Sequence, residues 1–172
     1  METLAFILST IGSVCVCIPP IIKGKNMKLI LLFVFFSNAF VAASYALTGA
    51  FNGAATCGFG ALITIINHFF ERKEKPIPKW LVAIYAICFT VINLIVFKKI
   101  TDIIILVAAL IFIAGICVKN GKKYRWWALI NTLLWIIYDF ITLSFGPLTT
   151  HFIQLSTILL GMLLHDRKKG NK

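Results

Sequence analysis

Apolar residues run along the chain in seven long stretches, each ended by charge or by Gly and Pro: Thr3–Ile22, Leu29–Thr48, Asn52–Phe70, Trp80–Phe97, Ile100–Val118, Trp126–Ser144 and Pro147–His165. Each is close to the ~20 residues that an α-helix needs to cross the ~30 Å hydrocarbon core of a bilayer. In lipid every backbone polar group must be satisfied within the segment, so the pattern predicts an all-α integral membrane protein of seven transmembrane helices. Only Gly49-Ala50-Phe51 joins the second and third stretches, and Phe145-Gly146 the sixth and seventh. Such tight turns suit helical hairpins.

Composition agrees. The 172 residues are 60% hydrophobic and 13% charged, with a mean hydropathy of +0.94, more apolar surface than a soluble domain of this size can hide in one core. The bilayer is therefore the first partner. A formal charge of +11 raises the question of nucleic acid, but that reading needs basic residues gathered on one folded surface and interleaved with aromatics. Here they fall between apolar stretches, which excludes it. Cys15, Cys17, Cys57, Cys88 and Cys117 all lie inside apolar segments without CxxC spacing, as small buried hydrophobes rather than metal ligands or a redox pair. The start, Met-Glu-Thr-Leu-Ala, has no basic region and no small-residue cleavage site after its apolar stretch, so the first segment is expected to be retained as a helix.

Lys and Arg in short loops favour the cytoplasmic side. Fifteen of the 17 basic residues fall on one side: Lys23, Lys25 and Lys28; Arg72, Lys73, Lys75 and Lys79; Lys119, Lys122, Lys123 and Arg125; and Arg167, Lys168, Lys169 and Lys172. Lys98 and Lys99 alone fall on the other. An odd number of spans follows, with the N-terminus outside and the C-terminus cytoplasmic. The basic loops are placed to touch anionic lipid headgroups.

Shifting the chain by 93 residues reveals a repeat. Between positions 38 and 65 the identities are Asn38/Asn131, Tyr45/Tyr138, Gly53/Gly146, Thr56/Thr149, Phe59/Phe152, Leu62/Leu155, Thr64/Thr157 and Ile65/Ile158, against roughly two expected from so narrow a composition. Equivalent basic loops give the copies the same orientation, and two three-helix units run parallel only if one extra helix reverses the chain between them. The expected architecture is 3+1+3: a first bundle over 1–70, a basic loop and the linker helix Trp80–Phe97 over 71–99, a second bundle over 100–165, and a basic tail over 166–172. In transporters built from parallel repeats the solute site lies between the repeats near the midplane.

Leu31-Leu32-Phe33 through Asn38, Tyr45-Ala46-Leu47-Thr48-Gly49 and Asn52-Gly53-Ala54, with Arg125, Trp135-Ile136-Ile137-Tyr138 and Gln154 in the second half, resemble the YgjV-type bacterial inner membrane proteins. That family is distantly similar to the SWEET, semiSWEET, PQ-loop and PnuC transporters. The resemblance implies residence in a bacterial cytoplasmic membrane and movement of a small solute without ATP hydrolysis. The chain departs from PQ-loop proteins in having Pro19-Pro20 where they show Pro-Gln, and its fifth helix has no proline.

Polar side chains are expensive in hydrocarbon and face the bundle interior or a water-filled cavity. On the sixth helix Asn131, Trp135, Tyr138 and Asp139 share a face at i, i+4, i+7 and i+8. Asn38 and Tyr45 repeat the i, i+7 pair on the second. The seventh places Thr150, Gln154 and Thr157 on one face, with His151 beside it. Asn38, Asn131, Trp135, Gln154, Tyr138 and Asp139 are therefore the candidate solute-binding residues, an amide-rich, aromatic-flanked lining suited to a neutral hydroxyl-bearing or heteroaromatic solute. Each has a plainer reading: the asparagines as interhelical glue worth about 1 kcal/mol or less, the tyrosines as an interfacial belt, Trp135 as packing, and Asp139 as an acid reaching water from the outer end of its helix. His68 reads as an interfacial polar residue.

No paired-carboxylate, HExxH, GxSxG or phosphate-loop pattern occurs, and Cys57 and His68 are separated by about 16 Å along one helix, so no enzyme, cofactor or metal site is expected. The leading expectation is a secondary transporter or facilitator for a small solute, with Gly49, Gly53, Gly146 and Pro147 as points that yield. The alternative is a non-transporting scaffold or regulatory subunit, against which the smallness of every loop counts. The solute, the driving ion and the oligomeric state are not written in the sequence.

Overall fold

The structure, a computed structural model, describes residues 2–49, 51–97, 99–143 and 145–166, the side chains of residues 51, 52, 96, 142 and 145–147 excepted. Seven α-helices occupy most of these residues: α1 (Glu2–Cys17), α2 (Met27–Leu47), α3 (Phe51–Arg72), α4 (Lys79–Val96), α5 (Asp102–Ile116), α6 (Gly121–Thr142) and α7 (Phe145–His165). A 3-10 turn, Pro19–Ile21, follows α1. No strand occurs among the described residues. Ala50, Lys98, Ser144, Arg167, Lys168, Lys169 and Lys172, which entered the sequence reading, lie outside the described residues.

Every apolar stretch has its helix, and the differences are at the ends. The first stretch breaks at Ile18, because Pro19 and Pro20 lack the N–H groups that would continue the α-helical ladder. α6 begins five residues before its apolar stretch: the Asn120 side chain accepts a hydrogen bond from the Lys122 amide at 2.8 Å and caps the helix. Lys122, Lys123 and Arg125, expected in a loop, therefore belong to the first turns of a helix. α5 is shorter than expected, since the Asp102 carboxylate accepts from the Lys99 amide at 2.9 Å and starts it there. Gly49, at φ +76°, turns the chain between α2 and α3, a conformation L-residues resist. Gly53, Gly146 and Pro147 lie within the first turns of α3 and α7 rather than in turns.

By length and composition Glu2–Ile21, Met27–Leu47, Gly53–Arg72 and Leu148–His165 suffice to cross a membrane, and Lys79–Ile95 and Asp102–Ile116 are shorter apolar helices. α1, α2 and α3 pack side by side in chain order, as do α5, α6 and α7; α4 leans on α5 and α3, and the 3-10 turn packs on α7. The exterior is apolar, with Phe6, Ile95, Ile100 and Phe140 each at least 70% exposed, while Thr64, Asn67, Thr132 and Arg125 are buried. That inversion is what a hydrocarbon solvent demands.

The core gathers Met27, Ile30, Leu31 and Val34 of α2, Ile63 of α3, Tyr85 and Phe89 of α4, Ile113 and Ile116 of α5 and Ile158 of α7. Hydrogen bonds between helices supplement it. Ser37 and Ser44 donate to the carbonyls of Gly12 (2.9 Å) and Ala5 (2.7 Å) of α1, each worth about 0.6 kcal/mol in a membrane. Asn67 of α3, unremarked in the sequence, donates to the Ile116 carbonyl at 3.1 Å and accepts from the Tyr85 hydroxyl at 3.2 Å, joining α3, α4 and α5. The His68 ring donates through Nδ1 to the Lys28 carbonyl at 2.9 Å, tying the end of α3 to the start of α2.

Candidate functional site

Between the two groups of helices lies a cavity of about 340 Å3, within the ~300–1,000 Å3 range of small-molecule sites. Asn38, Asn131, Trp135, Tyr138, Asp139 and Gln154 all line it, together with Tyr45 and His151. Of the expected α7 face, Gln154 and His151 reach the cavity; Thr150 instead donates to the Ser13 hydroxyl at 3.4 Å, and Thr157 to the Gln154 carbonyl at 2.8 Å.

The α2 side is built by spacing. Asn38 and Tyr45, seven residues apart, meet Gly60 and Gly53, seven apart on antiparallel α3. A Cβ at Gly60 would lie 3.1 Å from the Asn38 Oδ1, and one at Gly53 2.7 Å from the Tyr45 ring, so hydrogen at both positions leaves the room these side chains occupy. The repeat-related asparagines are held differently. Asn38 Nδ2 donates to the Val34 carbonyl of its own helix at 3.0 Å, whereas Asn131 Nδ2 donates to the Ala108 carbonyl of α5 at 2.6 Å. Asn131 thus has the packing bond expected of interhelical glue and also lines the cavity.

Gln154 is different again. Its side chain is buried at 8% exposure and has no hydrogen-bond partner among the described residues. Its amide opens onto the cavity, so its donors and acceptor are available to what the cavity holds.

At the far end of α6, Asp139 does not reach water. It is 2% exposed, and its Oδ2 lies 2.6 Å from His151 Nδ1. The His151 ring stacks on Trp135 with centroids 5.7 Å apart and planes 19° from parallel, and Tyr138 meets Trp135 edge-on at 5.9 Å. Trp135 is thus a stacking platform within the lining. Among the described residues no three His, Cys, Asp or Glu side chains are grouped to hold a metal.

A second polar cluster closes the other end of α6 and α7. Arg125, 1% exposed, donates from Nε and Nη2 to the two Asp166 carboxylate oxygens at 2.9 and 2.5 Å. Its Nη1 reaches the carbonyls of Ile22 (3.1 Å) and Pro20 (3.4 Å). His165 Nε2 donates to the Ile21 carbonyl at 2.7 Å, and the Gly121 amide to Gly24 at 3.1 Å.

A model of the Imp-YgjV family, bacterial inner membrane proteins, matches residues 4–169. The chain belongs to that family. With several helices apolar enough to span lipid, it is a multi-pass protein of the bacterial inner membrane, in contact with the bilayer over its apolar exterior. No curated protein and no solved structure matches it.

Sequence reasoning reached this Imp-YgjV member's cavity lining through the cost of polar groups in lipid, yet missed three parts of its polar interior. His151 stood beside the chosen face of α7 without a role. Asn67 had no repeat partner to mark it. Arg125 and Asp166 were read as a loop charge and part of a basic tail, since charge beside an apolar stretch is ordinarily solvated.

Proposed function

We propose that the chain is a secondary transporter or facilitator for a small soluble solute, uncharged and either hydroxyl-bearing or heteroaromatic. It would work by rocking two parallel three-helix units, residues 1–70 and 100–165, around the cavity, with α4 as the reversing linker. The observation that carries this reading is Gln154: a largely buried residue whose side-chain amide has no hydrogen-bond partner among the described residues, in a cavity it shares with Asn38, Asn131 and Trp135. Amides supply donors and acceptors for hydroxyls or ring nitrogens, and the indole offers a face for a planar ring. The distant resemblance to SWEET-type proteins points the same way.

Uptake into proteoliposomes, screened over sugars, nucleosides and vitamins, tests the reading. Gln154→Leu is expected to reduce uptake at least tenfold, the factor that accompanies about 1.4 kcal/mol of lost binding, with its melting temperature unchanged because its side chain makes no hydrogen bond among the described residues. Asn131→Leu should lose uptake and also some stability, about 0.6–1 kcal/mol, for its bond to Ala108. A Gln154→Leu protein that melts early yet transports normally, or a panel in which no solute enters, contradicts the proposal.

The orientation proposed with it puts the N-terminus outside and the basic segments in the cytoplasm, where anionic headgroups meet them. Single cysteines at Lys25 and Lys99, in a background without the native cysteines, should label from opposite faces of the membrane. Labelling from the same face would disprove the arrangement.

A further inference from the structure

The two groups of helices are fastened to each other at the end where α6 begins and α7 finishes, and one buried cation is at the centre of the fastening. Arg125 donates from Nε and Nη2 to the two Asp166 oxygens. Both residues belong to the second group, so this pairing by itself joins nothing across the cavity. It occupies one edge of the planar guanidinium and leaves Nη1 for the first group, where it donates to the carbonyls of Ile22 and Pro20. Asp166 thus aims the guanidinium, and Arg125 carries the contact across.

The acceptors are a product of the sequence. Pro19 and Pro20 break α1, and the carbonyls that a broken helix leaves over need other donors. Three in succession take them from the second group: Pro20 and Ile22 from Arg125, and Ile21 from His165 at 2.7 Å. The Gly121 amide adds a bond to Gly24.

Two features make this fastening separable. Under the 93-residue shift that pairs Asn38 with Asn131, Arg125 falls on Leu32 and Asp166 on Lys73, so the first group has no such pair at the equivalent place. Ile21, Lys23, Lys25, Lys122 and Lys123 around it are exposed, so water can take the carbonyls when Arg125 leaves, and opening exchanges hydrogen bonds rather than losing them. The joint of Asn67 with Tyr85 and Ile116 is fully buried and stays as the hinge.

The cavity follows the same division. Near the fastening its lining residues Tyr124 and Ile116 are buried, whereas Tyr45 at the far end is 36% exposed. We infer that Arg125, aimed by Asp166 at the Pro20 and Ile22 carbonyls, is the gate that closes the cavity toward the basic loops. With the gate shut, solute enters from the Tyr45 end; release at the basic end requires Arg125 to let go of the first group while it keeps Asp166. That consequence rests on the transport reading proposed above.

Cys57, a free thiol lining the cavity from α3, reports the gate without any solute. The full chain with Cys57 as its single cysteine is placed in membrane vesicles of either orientation and treated with a charged, membrane-impermeant methanethiosulfonate; Lys25→Cys marks the basic face. Wild-type Cys57 is expected to react only from the opposite face. Arg125→Gln with Asp166→Asn, an amide pair too short to reach the carbonyls, should raise reaction from the basic face about tenfold, as losing about 1.4 kcal/mol from the closed state would. Equal wild-type reaction from both faces, reaction from the basic face alone or from neither, or a double variant that stays shut overturns the gate, and the wild-type results need no variant to fold. A second measurement locks the gate: Ile21→Cys and His165→Cys, joined by a short reducible cross-linker in a background without other cysteines, should stop uptake until a reductant is added. Uptake that continues in the cross-linked protein overturns the gate and leaves the transport reading standing. A panel in which nothing enters overturns the transport reading, while Cys57 still decides which end is closed.

Discussion

Asp166→Ala is expected to cost about 3–5 kcal/mol of stability, the range found when one partner of a buried ion pair is removed and the other left uncompensated. The partner here is Arg125, 1% exposed, with two of its donors on the Asp166 carboxylate and a third on the carbonyls that follow α1. Without the carboxylate the guanidinium remains inside protein with fewer than half its five N–H donors used. Arg125→Met with Asp166→Leu should recover much of the loss, since well-packed apolar replacements of a buried pair are often neutral or better. Arg125→Lys should not, because an ammonium cannot reproduce the two-pronged contact. Thermal unfolding of the purified protein in detergent measures all three. An Asp166→Ala protein melting at the wild-type temperature would mean that the pair holds nothing together.

Gly161→Ala should weaken the same end of the molecule for a steric reason. A Cβ at Gly161 would lie 2.0 Å from the Pro20 carbonyl oxygen, so α7 and the turn after α1 must move apart. Backbone cannot rotate aside as a side chain can, and the expected loss is at least the ~1–3 kcal/mol of ordinary overpacking. Gly121→Ala, with its Cβ 2.3 Å from Gly24 Cα, should behave alike. Gly58→Ala is the control: nothing lies within 4 Å of its Cβ, and within α3 alanine should gain up to about 1 kcal/mol over glycine. Equal melting temperatures for Gly161→Ala and Gly58→Ala would refute the close approach. These contacts share a consequence for function. They join the two groups of helices at the end where α6 begins and α7 finishes, away from the Asp139–His151 pair, so opening the cavity at that end requires breaking them.

The sequence by itself determined the seven helices, the turn at Gly49 and six of the residues that line the cavity, because each depends on a local property. The length of an apolar stretch decides whether it crosses lipid, and the price of a polar group in hydrocarbon turns Asn38, Asn131, Trp135, Tyr138, Asp139 and Gln154 inward whatever their partners. Partners are a different matter. That Asn131 bonds the α5 backbone while the Gln154 side chain has no hydrogen-bond partner among the described residues depends on which helix lies opposite, and two amides look alike in a sequence. Asp139 sits where composition predicts access to water, and only the approach of α7, bringing His151 to 2.6 Å, buries it. The same holds for Arg125, whose position beside an apolar stretch reads as a solvated loop charge. Its burial follows from contacts 41 residues ahead with Asp166 and 105 behind with Pro20. Composition sets the depth of a residue in the membrane; packing across such separations sets what it touches, and hence which charges are paired and which polar groups are left for a ligand.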